Sequence, residues 1–285
     1  DNDVTINYQI DFKPGNLEVI PRKITVKPRD ETKIYDGTAL KAQTVEVVEG
    51  SLVLASHRIS EVEWIGSKVD AGQAKSHIQR LVITADGVDV THNYEIHYLP
   101  GNLVVQPRKI KLVFRDSSKI YDGTNRFVPD FTVAKPMDQD SGLLNGHAIE
   151  SAALYSTSSD VGVWEAFGHE ITIRDENGED VTKNYDVDYD YGVLEITPRT
   201  IHYVFEGDEK YYDGRSLFEL RYDQGYAGLL NGHILQVRAY AERPTVGTWA
   251  VQTFDIRVFE GNREVSENYD IRIEGRDLRV KINPR

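Results

Sequence analysis

The sequence predicts an all-β protein built from three tandem domains, and three observations carry that prediction. A block of short phrases recurs at a spacing of about ninety residues: "KIYDGT" begins at 33 and at 119, and "KYYDGR" begins at 210. Within each block the apolar residues alternate with polar ones, as in "KITVKP", "EITIRD" and "GVLEITP", which is the period of half-buried strands. Turn signals separate these stretches, with Asp-Gly at 36–37, 86–87, 122–123 and 213–214 and "ENG" at 176–178.

The other phrases follow the same spacing. "LLNGHAI" at 143–149 returns as "LLNGHIL" at 229–235, with "LASHRI" at 54–59 as a diverged copy. "DVGVW" at 160–164 matches "TVGTW" at 245–249 and, more loosely, "VDAGQ" at 69–73. "DVTHNYEI" at 89–96 matches "DVTKNYDV" at 180–187 and "EVSENYDI" at 264–271, and each block closes on a Pro-Arg pair at 107–108, 198–199 and 284–285. The domains expected are therefore 23–108, 109–199 and 200–285. Residues 3–22 agree with 89–108 at 13 of 20 positions, so 1–22 are expected to be the closing part of a preceding repeat. Either the array extends further or the folding unit is phased differently.

Strands of this length with turns every 8–12 residues suit a small antiparallel β-sandwich of immunoglobulin-like size in each repeat. A β-grasp-like repeat with one short helix is the alternative, because 39–48 and 216–230 come nearest to a helical period. Nothing approaches the roughly 20 apolar residues of a membrane-spanning helix. The chain has no cysteine, which excludes disulfides and thiolate chemistry.

The net charge of -13 argues against nucleic acid, whose phosphates need clustered Lys and Arg. The acidity is concentrated in 109–199, with 9 basic and 17 acidic residues, against 10 and 11 in 23–108 and 12 and 14 in 200–285. Two acidic loops, "DQDSG" with Asp138 and Asp140 and "DENGED" with Asp175 and Asp180, raise calcium, which takes several carboxylate oxygens. Neither loop has EF-hand spacing, and no metal or other cofactor is expected.

Tyr35, Tyr121 and Tyr212 precede the Asp-Gly turns. Each either buries its ring, with the hydroxyl finding a partner, or offers an aromatic face to a glycan. The Asn-Tyr pairs 93–94, 184–185 and 268–269 are expected to bury the tyrosine and to bond the asparagine to local backbone at a strand entry. His57, His147 and His233 occupy matching positions and are expected to serve turns or strand starts. No Gly-x-Ser-x-Gly elbow frames a serine, so an enzyme is not expected.

The combination "YDGT … LLNGHxI … DVG … DVTxNYxIxYxxGxLxIxPR" resembles the YDG/MBG-type tandem repeats of adhesin-like cell-surface proteins of Gram-positive gut bacteria, over essentially the whole chain. Arg215 in place of threonine and the missing "NGH" in the first repeat depart from the pattern. The resemblance implies an extracellular, non-catalytic stalk segment of a cell-wall-attached protein, expected to be a monomer. Its alternative is a module binding mucin, other glycans or a host surface protein. Some other Gram-positive surface domains join a lysine to an asparagine by an isopeptide bond. Lys33, Lys119 and Lys210 with Asn93, Asn184 and Asn268 raise that option here.

The junctions "PRKI" at 107–110 and "PRTI" at 198–201 leave almost no spare residues, and proline stiffens them. Three strand-built domains end to end would exceed roughly 100 Å at about 3.3 Å per strand residue. Small-angle scattering of a dilute sample should then give a radius of gyration of about 30–38 Å, and a value near the globular figure of about 19 Å would remove the rod.

Overall fold

Alternation becomes strand throughout: in the computed structural model, every regular element longer than a three-residue 3-10 turn is a β-strand among the described residues. Those are 3–50, 56–222, 228–275 and 278–285. The stretches 39–48 and 216–230, weighed as helices, instead contribute the strands Val45–Glu49 and Leu217–Tyr222; residues 223–227 lie outside the described residues. With no α-helix in any repeat's described residues, the helix-bearing β-grasp alternative fails.

The chain divides into two compact units, 1–108 together with Lys183–Tyr185, and 109–182 together with 186–285. The first unit contains β1 (Arg22–Pro28), β2 (Glu31–Ile34), β3 (Val45–Glu49), β4 (His57–Ile65), β5 (Gly72–Ala85), β6 (Val88–Asp89), β7 (Tyr94–Tyr98) and β8 (Gly101–Gln106). One sheet has the order β3-β1-β7 and the other β2-β8-β5-β4, with β6 on β5. Ile24, Val26, Ile78, Leu81, Ile83 and Tyr94 form a buried core, walled by Ile59, Val62 and Trp64.

The expectation of antiparallel sheets is corrected. β1 runs parallel to β7 and β2 runs parallel to β8, whereas β3, β4 and β5 pair antiparallel with their neighbours. The opening strand and the closing strand each break in two and pass from one sheet to the other, so they meet as a parallel pair in both. Asp30 pins the opening break by accepting the Asn102 N–H at 2.8 Å. Gly101 stands at the closing break because a Cβ there would lie 2.5 Å from the Pro28 carbonyl oxygen. Apolar alternation reports which face is buried and carries no information about strand direction, which is why the parallel pairs were not legible.

The second unit repeats this plan. Ser117–Ile120 pairs parallel with Leu194–Thr197, Arg199–Val204 with Tyr269–Glu274, and Asp208–Tyr211 with Arg279–Asn283. Long antiparallel pairs, Ala148–Ser156 with Ala166–Arg174 and His233–Ala241 with Gly247–Glu260, form the sheet interiors. Leu112, Leu154, Ile173, Leu194, Leu235, Val237 and Val258 are fully buried.

Residues 3–21 depart from the plan. "YQIDF" and "NLEVI", expected as strands, form none, and the only regular element there is the 3-10 turn Thr5–Asn7. Tyr8, Ile10, Phe12, Leu17 and Val19 are 71, 52, 88, 102 and 95% exposed, whereas Tyr94, Leu103 and Val105, the counterparts of Tyr8, Leu17 and Val19, are buried. Deleting 1–20 therefore removes no packed side chain and should leave the thermal unfolding profile within about 1 °C. A fall of several degrees would mean that the segment packs on the first repeat.

Candidate functional site

The lysine of each Lys-x-Tyr-Asp phrase organises its own turn. Lys119 Nζ donates to Asp122 Oδ1 at 2.8 Å, Thr124 O at 2.7 Å, Thr124 Oγ1 at 2.8 Å and Arg126 O at 3.0 Å. Lys33 repeats this with Asp36 and Thr38, and Lys210 with Asp213 and the carbonyls of Arg215 and Leu217. Arg215 keeps the carbonyl contact that the pattern needs while losing the threonine hydroxyl. Lys119 and Lys210 also lie 4.9 and 4.8 Å from the ring centres of Phe127 and Phe218. Partial burial pushes the Asp36 carboxyl up, but the Lys33 ammonium and the Thr38 N–H and hydroxyl outweigh it and hold the group at about 2. The three ammonium groups are thus held by oxygen partners of their own turns, and among the described residues none of them bonds Asn93, Asn184 or Asn268, the asparagines weighed for an isopeptide bond.

The turn also places its tyrosine. The Tyr35, Tyr121 and Tyr212 N–H groups each bond the closing strand at 2.9 Å, through Gln106 O, Thr197 O and Asn283 O. Tyr35 and Tyr121 are 4 and 1% exposed, so neither offers a ring face to a glycan, while Tyr212 is 44% exposed.

What covers Tyr121 is the third repeat. The phrase Glu264–Tyr269 folds as a 3-10 turn, Ser266–Asn268, entering the strand Tyr269–Glu274. Ser266 Oγ accepts the Val258 N–H at 2.9 Å and holds the turn on the long strand, as Thr182 does for Ile173 and Thr91 for Ile83. Asn268, 3% exposed, then reaches the second repeat: its Oδ1 accepts the Val161 N–H at 2.7 Å and its Nδ2 donates to Asp160 Oδ1 at 2.8 Å. Arg263 pairs with the other Asp160 oxygen. The Tyr269 ring meets Tyr121 edge-on, with centroids 5.5 Å apart.

The remaining phrases converge on the same joint. Tyr269 Oη accepts the Leu230 N–H at 3.3 Å and shares a hydrogen bond with Nδ1 of the buried His233 at 2.9 Å. Burial pushes the Tyr269 phenol up to about 12 and the His233 imidazole below its ordinary value. Both shifts favour the neutral forms of the pair. Arg199 of the Pro-Arg pair donates to Gly228 O at 2.7 Å and Tyr121 O at 3.5 Å. Gly162, at φ 148°, leaves no room for a Cβ, which would sit 3.0 Å from the Trp164 ring; Trp164 Nε1 closes the loop on Asp160 O at 2.7 Å.

The first unit holds a second such joint. Asn184 Oδ1 accepts the Ala71 N–H at 2.7 Å, and Nδ2 donates to Asp70 Oδ1 at 3.1 Å. Lys183 pairs with Asp70 at 3.0 Å, and Tyr185 meets Tyr35 edge-on at 5.9 Å. The expectation of local backbone partners for the asparagines is thus corrected at Asn184 and Asn268. Only Asn93 is exposed. The histidines stand at strand starts as expected, His57 and His233 as the first residues of His57–Ile65 and His233–Ala241 and His147 just before Ala148–Ser156; His57 also bonds Tyr94 Oη at 2.6 Å and His233 bonds Tyr269. Matching phrases at ninety-residue spacing were visible, but no single-sequence signal says that one repeat's Asn-Tyr meets the preceding repeat's Asp-x-Gly.

The acidic loops are turned inward on themselves. Asp138 accepts the Asp140 N–H at 3.0 Å, Asp175 accepts those of Asn177 and Glu179 at 3.0 and 2.9 Å, and Asp180 accepts that of Thr182 at 2.9 Å. Among the described residues no group of three or more His, Asp or Glu side chains could hold a metal ion. Among the described residues no helix is long and apolar enough to cross a membrane.

Compared with protein-family models and with curated proteins, the chain matches none.

Replacing Asn268 with alanine strands the Val161 N–H and one Asp160 oxygen at a buried joint. The expected cost is about 1–3 kcal/mol in denaturant unfolding of the second and third repeats. Asn93→Ala, the same change on an exposed turn, should cost nothing measurable. Equal effects of the two substitutions would show that the asparagines serve their own turns and not the joint.

Proposed function

We propose that this chain is a non-catalytic spacer segment of an extracellular bacterial cell-surface adhesin. It would be built from tandem YDG/MBG-type repeats of immunoglobulin-like size at 23–108, 109–199 and 200–285, with 1–22 as the closing part of a further repeat. The observation that carries the reading is the shared use of the repeated phrases. Lys-x-Tyr-Asp-Gly, Asp-x-Gly, Asn-Gly-His, Asn-Tyr and Pro-Arg all converge where the third repeat meets the second, and the contacts of Asn-Tyr with Asp-x-Gly and with Lys-x-Tyr-Asp-Gly recur at Asn184 and Tyr185. Residues kept in every repeat thereby join repeats to one another, which is what a load-bearing array requires of them. The stiff Pro-Arg junctions support a rod.

A second reading, a glycan-binding module, is favoured by one feature confined to the second repeat. Tyr189 and Tyr191 hold their rings parallel within 2°, His169 stacks on Tyr189 at 3.8 Å, and Phe167 beside it is 70% exposed. Aromatic faces of this kind suit the apolar faces of sugar rings.

Pulling the chain by its ends should distinguish the two. A spacer predicts discrete unfolding events of roughly 300 Å contour length each, for about ninety residues at about 3.5 Å, and no retention on mucin or a glycan array. Retention that disappears in Tyr191→Ala, without a change in unfolding force, would replace the spacer reading with the second.

A further inference from the structure

The second repeat makes an excursion that the first does not, and a cavity lies beside it. Val133 faces Leu112 as Val47 faces Val26. Gly142 then returns to the Lys109 carbonyl, as Gly50 lies against that of Lys23. Two residues separate Val47 from Gly50 but eight separate Val133 from Gly142, so 135–140 are six extra residues. They form a loop pinned at its base. Ser141 Oγ, on a buried residue, accepts the Met137 and Asp138 N–H groups at 2.9 and 3.1 Å. Pro136 packs on Gly142, where a Cβ would lie 2.5 Å from its ring. An open cavity of about 500 Å³ adjoins the loop, and Lys109, Lys111, Lys135, Met137, Asp186 and Asp188 are among its lining residues.

The walls of this cavity are polarised. The sheet order runs from Phe131–Val133, which leads into the loop, through Arg108–Phe114 to Tyr185–Asp190. Lys135 therefore belongs to one side, Lys109 and Lys111 to the middle, and Asp186 and Asp188 to the other side. Ile110 and Leu112 are buried, so the lysines that alternate with them face outward. In the first repeat the positions of Lys109 and Asp186 are held by Lys23 and Glu95, which close on each other at 3.5 Å. Aspartate is shorter by one methylene, and in the second repeat this pair stays open. Among the described residues Lys109, Lys135 and Asp186 meet no opposite charge within ion-pair distance, and Lys111 reaches Asp190 at 3.7 Å.

A bare anion or a bare cation would meet like charge on one wall, whereas a ligand carrying both signs satisfies both. An apolar side chain on that ligand can rest on Met137, which is 86% exposed. We propose that this cavity binds a short zwitterionic peptide, with its carboxylate toward Lys109 and Lys135 and its ammonium toward Asp186 and Asp188. The volume falls within the roughly 300–1,000 Å³ of small-ligand sites. Successive residues of a strand point to opposite faces, so Asp188 and Tyr189 put the cavity and the aromatic group of Tyr189 and Tyr191 on opposite sides. Peptide binding here is compatible with either a spacer or a glycan-binding module.

Magnetic resonance titration of the full chain with the dipeptide Ala-Leu tests it, alongside the N-acetylated and C-amidated dipeptides. Saturable shifts are expected at residues 109–111, 135–137 and 186–188. Each blocked form lacks one charge and should bind about threefold more weakly, or worse. Asp188→Asn should weaken Ala-Leu but leave the N-acetylated form unaffected, and Lys135→Ala should do the same for the amidated form. Both residues are exposed, so circular dichroism and the unfolding midpoint should be unchanged. Deleting 135–140, which restores the spacing of the first repeat, should abolish binding. An absence of saturable shifts with Ala-Leu would overturn the proposal. So would blocked dipeptides that bind as well as the free one, equal shifts with acetate alone, or binding that survives the deletion.

Discussion

A single buried side-chain amide, held between two repeats, is the interaction on which the rest of the arrangement depends. Asn268 presents an acceptor to the Val161 N–H and a donor to the Asp160 carboxylate. A primary amide carries a separate acceptor and donor on one planar group, so it can take a backbone N–H and give to a carboxylate at once. An aspartate there would face Asp160 with a like charge, and a leucine would take away the partner of the Val161 N–H and one partner of the Asp160 carboxylate. Around this bridge, edge-on packing of Tyr269 on Tyr121 supplies apolar contact, and His233 fixes the Tyr269 hydroxyl. The bridge can form only because Gly162 turns the preceding loop into a conformation that other residues resist.

The Asn-Tyr pair therefore does two jobs on opposite sides of one strand entry. Tyrosine points into its own repeat and is buried in all three, at Tyr94, Tyr185 and Tyr269. Asparagine points out of it, and its burial depends on whether a preceding acceptor is present: 0% exposed at Asn184 and 3% at Asn268, but exposed at Asn93. The same residue pair is thus core chemistry and joint chemistry at once.

Much of the fold was legible because period-two alternation survives in almost every strand: "KITVKP" gives buried Ile24, Val26 and Pro28, and "GNLVVQ" gives Gly101, Leu103 and Val105. Strand existence and the all-β class follow from that pattern alone. The parallel pairing of opening and closing strands was not legible, since both directions satisfy the same alternation. The apolar run at 216–222 imitated a helix because its apolar residues are bunched, and only pairing with His233–Ala241 settles it as strand. At the site, the recurrent Tyr35, Tyr121 and the asparagines stood out as positions, but their partners lie in another repeat, 113 and 107 residues away for Asn184–Ala71 and Asn268–Val161. No local rule reaches that far.

Position in the array, and not residue identity, decides what each phrase does. Tyr121 and Tyr212 sit in the same phrase, with the same N–H bond to a closing strand, yet one is core and the other surface. Repeats of this kind are quasi-one-dimensional, with stability set by intrinsic terms plus neighbour interfaces. The Thr245-Val246-Gly247 loop keeps the build of Asp160-Val161-Gly162, with Gly247 at φ 143° and Trp249 Nε1 closing on Thr245 O at 2.6 Å, but it offers a hydroxyl where Asp160 offers a carboxylate. The backbone of the phrase is thus constant while the side chain at its head varies, so what each copy can hold is decided by its neighbours as much as by its own turn.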